Sequence, residues 1–385
     1  MIEVGLAWDL DSLTLTPASS AEWAGSRSVQ LETGQALFVR LRSGGFEAAR
    51  SGREPEVDLL SDRDTARLTP SGPQPFVRWN GKTWRGQLKI FLSPRGTLTL
   101  VARVPLETYL LGVVPLEIGG LTPQIMEAGR AQAIAARSYT LYYMGRRGSE
   151  GFDLYGTVED QVYGPIESER DQTADCVRST RGEVALSAGL PIRANYSSTC
   201  GGISAEVAEA WPHPPERYLR SGLDRASSGP DFCRESPHYR WTEEWTVEEF
   251  LGNVERYASS FGVAVPAGWP GQLLDVRVES RSRSGRVKVL RVEGSAGDVI
   301  IPNHVLRQVL RRPGNRASIL RSNLFKVAPR RDPNGRVLGV VVSGGGNGHG
   351  VGLCQSGALG MARAGHRAEQ IMTHYYSGAE VKKLY

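Results

Sequence analysis

Apolar and polar positions alternate through the first hundred residues. Stretches 2–10, 35–41, 76–79, 87–92 and 97–104 are alternating or β-branched, which predicts strands. Asn80-Gly81 and Pro94-Arg95-Gly96 mark turns between them. Residues 42–75 are rich in Ser, Gly, Pro and charge, and read as loops or a weakly ordered insert. The pattern changes at Pro105. Residues 105–113 fit a short helix with proline in its first turn, and Pro115 is expected to end it. A long helix follows over 123–144, with Thr122 as N-cap, Pro123 at the first position, and apolar Ile125, Met126, Ala133, Ile134, Ala136 and Leu141. Further on, the pattern predicts a strand at 191–196, a helix at 247–261 and a hairpin from 274–279 and 287–293. A helix at 303–311, strands at 324–327 and 337–342, and a helix from 356 into 375 complete it. The expected class is α+β, with mixed sheets and the 123–144 helix packed on β structure. Three parts are expected: a β-rich region 1–103, a core of 104–230 with 335–385, and an inserted subdomain 231–334.

Composition changes this picture little. The chain has 385 residues, 40% hydrophobic and 23% charged, which is ordinary for a globular protein with a sizeable core. Its net charge of +5 suits a polyanionic surface without naming one. No basic run with interleaved aromatics occurs, so nucleic acid is not an expected partner. No apolar run approaches the about 18 residues of a transmembrane segment. The first residues lack the basic and apolar regions of an export signal, which leaves a cytoplasmic location and a removed signal both open.

Five segments have residues suited to chemistry. In 109–117 (YLLGVVPLE), Glu117 follows an apolar run and a helix-breaking proline, which places it in a turn at the edge of buried material. Desolvation there raises a carboxyl pKa and suits a general acid; the plainer reading is a capping or surface glutamate. Arg130 and Arg137 lie seven residues apart on one helical stripe. Arg137, among small alanines, needs a carboxylate or carbonyl partner, as a substrate clamp or as a structural salt bridge. Segment 152–164 combines Gln161 and Tyr163 with acids and turn glycines, as sugar sites do, though a polar loop with core aromatics looks the same. Tyr196, Ser197 and Ser198 end a strand in a polar turn that could form a binding rim; the glycine before serine needed for a nucleophile elbow is missing. Residues 343–357 contain seven glycines in fifteen residues, which implies close backbone approach to a ligand or another strand. His349 and Gln355 lie in this segment, and His349 is either a binding group or a structural hydrogen-bonder. His374-Tyr375-Tyr376 reads as helix-end packing.

Cys200, Cys233, His238 and Cys354 could hold a structural zinc ion by ligand type, but no C-x-x-C pair supports them. A Cys200–Cys233 disulfide in an exported chain, or free buried thiols, are the alternatives. No other cofactor is expected.

The order and wording of these segments resemble the SpoIID/LytB family. The resemblance runs through 104–109, 112–117, 128–139, 152–164, 182–184, 194–202, 239–241, 320–327 and 348–376. The Glu117 segment, A-x-A-A-R-S-Y at 133–139 and GHGVGLCQSGA…HYYSG at 348–378 are specific as a set. The resemblance implies a cell-envelope protein acting on peptidoglycan glycan strands, either a lytic transglycosylase or a helper of a cell-wall amidase. It makes Glu117 the general acid, with Arg137, His349, Tyr196 and Ser198 orienting sugar or acid. Family members often bind zinc through Cys and His in the segment matching 152–163. Here those places hold Tyr155, Glu159 and Asp160, so thiolate ligation is lost.

Overall fold

A computed structural model describes residues 1–51 and 57–385. Two compact units emerge, residues 1–184 with 382–385, and residues 185–381. Both combine helices with largely antiparallel sheets, so the α+β class holds.

The first unit is built on two sheets. One runs in the order Leu154–Tyr155, Ile2–Leu10, Leu98–Val104, Gln87–Leu92, Thr65–Pro70, Ala21–Ala24, Ser28–Leu31. The other runs Lys82–Arg85, Phe76–Trp79, Ser12–Pro17, Leu37–Arg42, Gly45–Arg50, Val57–Ser61. Period-two burial explains them: in Leu37–Arg42, Leu37 and Val39 point into the core while Phe38 and Arg40 point out. The indole N–H of Trp23 in the first sheet donates to Asp58 in the second at 2.8 Å, tying the two together.

Strands therefore occupy much of 42–75, where loops were expected. Thr65–Pro70 buries Ala66 and Leu68 and pairs with two neighbours, so tertiary pairing outweighs a polar composition. Part of that expectation, 52–56, lies outside the described residues. The boundary expected at 103 falls inside this unit. Ile2–Leu10 pairs antiparallel with Leu98–Val104 and parallel with Leu154–Tyr155, which joins the later segment to the β-rich part.

Among the described residues, helices α1 (Leu106–Ile118), α2 (Met126–Tyr143) and α3 (Asp171–Ser179) complete the unit. Pro115 does not end α1, a correction to the sequence reading. Tyr109, Leu110, Val113, Val114 and Ile118 are all buried. That packing offsets a proline cost of about 3 kcal/mol. The helix stops instead at Gly119, whose φ of 77° is outside helical space. The long helix begins with a single 3-10 turn, Pro123–Ile125, before α2. A Cβ at Gly129 would lie 2.7 Å from Cys176 Sγ, so glycine is what lets α2 and α3 approach here.

The second unit contains an apolar core of its own between residues 245 and 342. Trp241–Thr246, Val337–Gly344 and Phe325–Arg331 form one antiparallel sheet, and Leu273–Arg281, Val287–Gly294 and Gly297–Pro302 another. Helices α4 (Val247–Tyr257) and α5 (Asn303–Val309) cover them. A capping box starts α4, with Thr246 Oγ1 accepting from Glu249 N at 3.1 Å and Glu249 Oε2 from Thr246 N at 3.2 Å. Of the expected strand 191–196 only Leu190–Pro191 and Tyr196–Ser197 form, and Tyr196–Ser197 pairs parallel with Leu353–Cys354. The single helix expected over 356–375 is two, α6 (Gln355–Arg363) and α7 (Ala368–Tyr375), parted at Gly365 with φ of 86°.

Candidate functional site

Glu117 sits in the last turn of α1, not in an inter-helix turn as expected, because the helix continues through Pro115. Its side chain is half-buried. One carboxylate oxygen accepts the Val162 N–H at 3.1 Å. Gly112 makes that contact possible. Its Cβ would stand 2.6 Å from the Tyr163 ring and 2.7 Å from the Gly164 carbonyl, so only glycine lets segment 161–164 lie on α1. Gly164 N donates to the Gly112 carbonyl at 3.1 Å across the same seam.

Gln161 and Tyr163 flank this seam from inside. Gln161 is 1% exposed, and its amide donates to Tyr109 Oη at 3.2 Å and to Thr140 Oγ1 at 2.8 Å. Tyr163 packs against Tyr109 at 5.1 Å and Trp84 at 5.8 Å between ring centroids. Burial pushes the Tyr109 and Tyr163 phenols well up, so both stay neutral. These two expected sugar-binding side chains therefore face the interior. They support the Glu117 seam instead of offering polar groups to solvent.

Arg137 is fully buried and its guanidinium is committed. Nε and Nη2 make a bidentate pair with Glu107 at 2.9 and 2.8 Å. Nη1 donates to the Glu183 carbonyl at 3.0 Å and Nη2 to the Val177 carbonyl at 3.4 Å. This is the structural salt bridge of the two readings. It links α1, α2 and the end of α3. Arg130, on the same stripe, is partly exposed and donates to Glu127 and, at 3.3 Å, to Ser179 Oγ.

Segment 152–163 does not fit a zinc ion. The Asp160 side chain is buried and accepts from Arg146 at 3.1 Å, Arg147 at 3.0 Å and Tyr155 N at 2.9 Å; Tyr155 Oη donates to Glu150 at 2.5 Å. Asp160 is thus held by the two arginines that precede the segment, Asp153 accepts from Glu3 N at 2.8 Å and Gly145 N at 3.0 Å, and the segment has no thiol.

In the second unit, the glycine loop approaches the protein's own backbone. A Cβ at Gly352 would meet the Asn195 carbonyl at 2.1 Å and one at Gly346 the Thr199 carbonyl at 2.8 Å, both at positive φ. Of the two expectations for this loop, close approach to another strand is the one realised. Ser197 is buried and its Oγ accepts from Gly350 N at 3.2 Å; the Ser198 carbonyl accepts from Ser356 N at 3.0 Å. Tyr196 and Gln355 are half-buried on the same parallel seam.

His349 packs on Trp211 at 4.7 Å, and its Nδ1 accepts from Val351 N at 3.0 Å. Burial, with Arg307, Arg286 and Arg193 nearby, lowers its pKa to about 3. The folded ring is therefore neutral where the unfolded one, with an ordinary value near 6.5, begins to charge. Stability from this group is fully present above about pH 6.5 and is lost as pH falls toward 3. Between pH 7 and pH 4, the wild-type chain should lose on the order of 1–3 kcal/mol more than His349→Gln, discounted for partial exposure, as read from urea midpoints.

Cys200, Cys233 and Cys354 are all buried and gathered with Asp224, which the sequence reading missed. His238 is not in this group, because its Nδ1 pairs with Arg321 Nη1 at 2.9 Å. Cys200 and Cys233 Sγ lie 3.8 Å apart, so the sulfurs are not joined as a disulfide. Nearby, a cleft of about 1320 Å³ is lined by Tyr239, Trp241, Arg225, Arg240, Asp231 and Lys326, among others. No helix among the described residues is long and apolar enough to cross a membrane.

Comparison with known proteins fits this picture. Residues 94–186 match the family described as stage II sporulation protein (SpoIID), and residues 228–352 match a domain of unknown function, DUF8618. An uncharacterized protein of Brachyspira hyodysenteriae is 26% identical over 78% of this chain and 73% of its own length. The stage II sporulation protein D of Bacillus subtilis is 27% identical over 74% of this chain and 76% of its own. The amidase enhancer of Bacillus subtilis is 26% identical over 70% of this chain but only 39% of its own length. The chain is thus similar to SpoIID-type proteins, and the segment 94–186 that matches their family model contains both α1 with Glu117 and α2 with Arg137.

Proposed function

We propose that this protein cleaves peptidoglycan glycan strands as a lytic transglycosylase, with Glu117 as the group that gives and takes the proton. The reading rests on a half-buried carboxyl at the end of α1, held by the Val162 N–H at 3.1 Å inside the family-matched segment. In this mechanism protonated Glu117 donates to the glycosidic oxygen after N-acetylmuramic acid, and the C1–O bond breaks. The carboxylate then takes the proton from the muramyl 6-hydroxyl as that oxygen bonds to C1. The product is a 1,6-anhydro ring, no water is consumed, and Glu117 ends as it began. One carboxyl group suffices, in contrast to the usual pair. Incubation with purified sacculi and mass spectrometry should reveal 1,6-anhydromuramyl ends; intact strands after long incubation would overturn the reading.

A second reading, a non-catalytic glycan binder that stimulates a cell-wall amidase, is favoured by the cleft in the second unit. Tyr239, with the Arg240 guanidinium stacked 3.8 Å over its ring, and Trp241 line it, together with the cations Arg225 and Lys326. A relative bearing the name amidase enhancer adds to it. It predicts glycan binding without new ends, and amidase stimulation that survives Glu117→Gln.

A further inference from the structure

We infer that Cys200, Cys233, Cys354 and Asp224 form a closed, structural zinc site in the second unit. The inference is independent of the role proposed for Glu117. Each of the four residues offers one ligand atom, and these atoms all lie within 4.8 Å of one another. Cys200, Cys233 and Cys354 are 0% exposed and Asp224 is 1% exposed. With a Zn–S bond near 2.3 Å and tetrahedral angles, two ligating sulfurs stand about 3.8 Å apart. The Cys200–Cys233 separation is 3.8 Å. A disulfide needs about 2.05 Å, and forming one would leave the third thiol and the carboxyl stranded in a dry interior.

The surroundings are those of a ligand set. Cys354 Sγ accepts backbone N–H groups from Cys200 at 3.2 Å and Gly357 at 3.3 Å, a pattern that stabilises sulfur carrying negative charge. Asp224 is oriented on both oxygens, by Tyr375 Oη at 2.5 Å and Cys233 N at 3.1 Å. His374 Nε2 stands 3.9 Å from Asp224 Oδ1, beyond hydrogen-bond reach. Arg286, buried, donates to the Cys200 carbonyl at 2.9 Å and places a positive charge beside a site whose ligands outnumber the ion's charges. Two glycines of α6 hold the cluster close: a Cβ at Gly357 would stand 2.6 Å from Asp224 Oδ1, and one at Gly360 2.1 Å from the Phe232 carbonyl.

The physical need for such a clasp is plain from the local structure. The ligands come from the turn after Tyr196–Ser197, the loop before Asp231, the 3-10 turn Phe232–Glu235 and the N-cap of α6. Between residues 198 and 240 regular structure is limited to two short 3-10 turns. A segment with so little pairing needs cross-links from another source, and a metal ion supplies them. Three thiolates and a carboxylate suit zinc, and four protein ligands leave no open position, which makes the site structural and not catalytic.

The test uses the full-length chain purified without chelator from zinc-supplemented cells. Elemental analysis should find about one zinc per chain. Exchange for cobalt should give a thiolate-to-cobalt charge-transfer band and the visible bands of a tetrahedral ion. A strong chelator should lower Tm by at least about 10 °C, and added zinc should restore it. Cys233→Ser and Asp224→Asn should each lower metal retention at least about tenfold, whereas His238→Ala should leave it unchanged. Should the cysteine variant not fold, the chelation and cobalt readings on the native chain decide alone. A native chain with well under one equivalent of zinc, no thiolate band with cobalt, or a Cys200–Cys233 disulfide by mass spectrometry would overturn the assignment.

Discussion

Glu117→Gln should reduce release of anhydromuramyl products from sacculi by about 10²- to 10⁴-fold, the range for losing a general acid–base. The substitution is nearly isosteric. Its amide oxygen can still accept the Val162 N–H that the carboxylate accepts at 3.1 Å, so Tm should move by no more than a few degrees. Glycan binding should persist. The contrast between lost turnover and kept binding separates a proton carrier from a contact residue. Residual activity within about threefold of wild type would assign the proton to another group, and unchanged amidase stimulation beside absent turnover in both proteins would favour the enhancer reading.

The second large effect is on folding. Arg137→Met removes the two guanidinium hydrogen bonds to the Glu107 carboxylate, leaving it those from Tyr385 Oη and Gly182 N, and also removes those to the Glu183 and Val177 carbonyls. Breaking a buried pair costs about 3–5 kcal/mol, and since Glu107 keeps 16% of its side chain exposed, a loss near about 3 kcal/mol is expected. Arg130→Ala, at a pair 36% and 31% exposed, should cost less than about 1 kcal/mol. Urea titration compares the two. The pH dependence carries a further signature. Burial acts to raise the Glu107 pKa, but Arg137 and Tyr385 outweigh it and hold it below its ordinary value. In the wild type, stability from this carboxyl is therefore present above its unfolded value and lost as pH falls through the folded one. In Arg137→Met burial loses its main opponent, so this acid-limb contribution should shrink or reverse.

How much of this was legible in the chain differs by element. Strands such as Leu37–Arg42 and the hairpin from Leu273–Arg281 and Val287–Gly294 announce themselves by alternation, because one face is buried and the other wet. Pro115 misled for a physical reason. A proline's local cost is visible in sequence, whereas the burial of Val113, Val114 and Ile118 that outweighs it is a tertiary fact. Arg137 announced its need for a partner but not which one; Glu107 is thirty residues earlier, on another helix. The cysteines were visible as ligand types, and His238 was grouped with them by its five-residue spacing from Cys233. Asp224 had no such cue, since loop closure and not spacing brings it to the sulfurs. The seven-glycine loop gave the clearest local signal, and its meaning was close packing: Gly352 and Gly346 make room for neighbouring carbonyls.

The way the chain passes through Trp241–Thr246 and Val337–Gly344 has an evolutionary consequence. Trp241 and Gly344 are direct partners across one antiparallel pair, so the hundred-odd residues between them leave and rejoin the rest of the unit at one doorway. That stretch brings its own apolar centre. Such a cassette can be gained, lost or traded by a lineage without cutting a strand outside it, provided the host replaces what it contributes, above all the Arg286 hydrogen bonds to the Cys200 and Ile203 carbonyls. A chain can therefore keep the segment 94–186 unchanged while varying what is grafted further along.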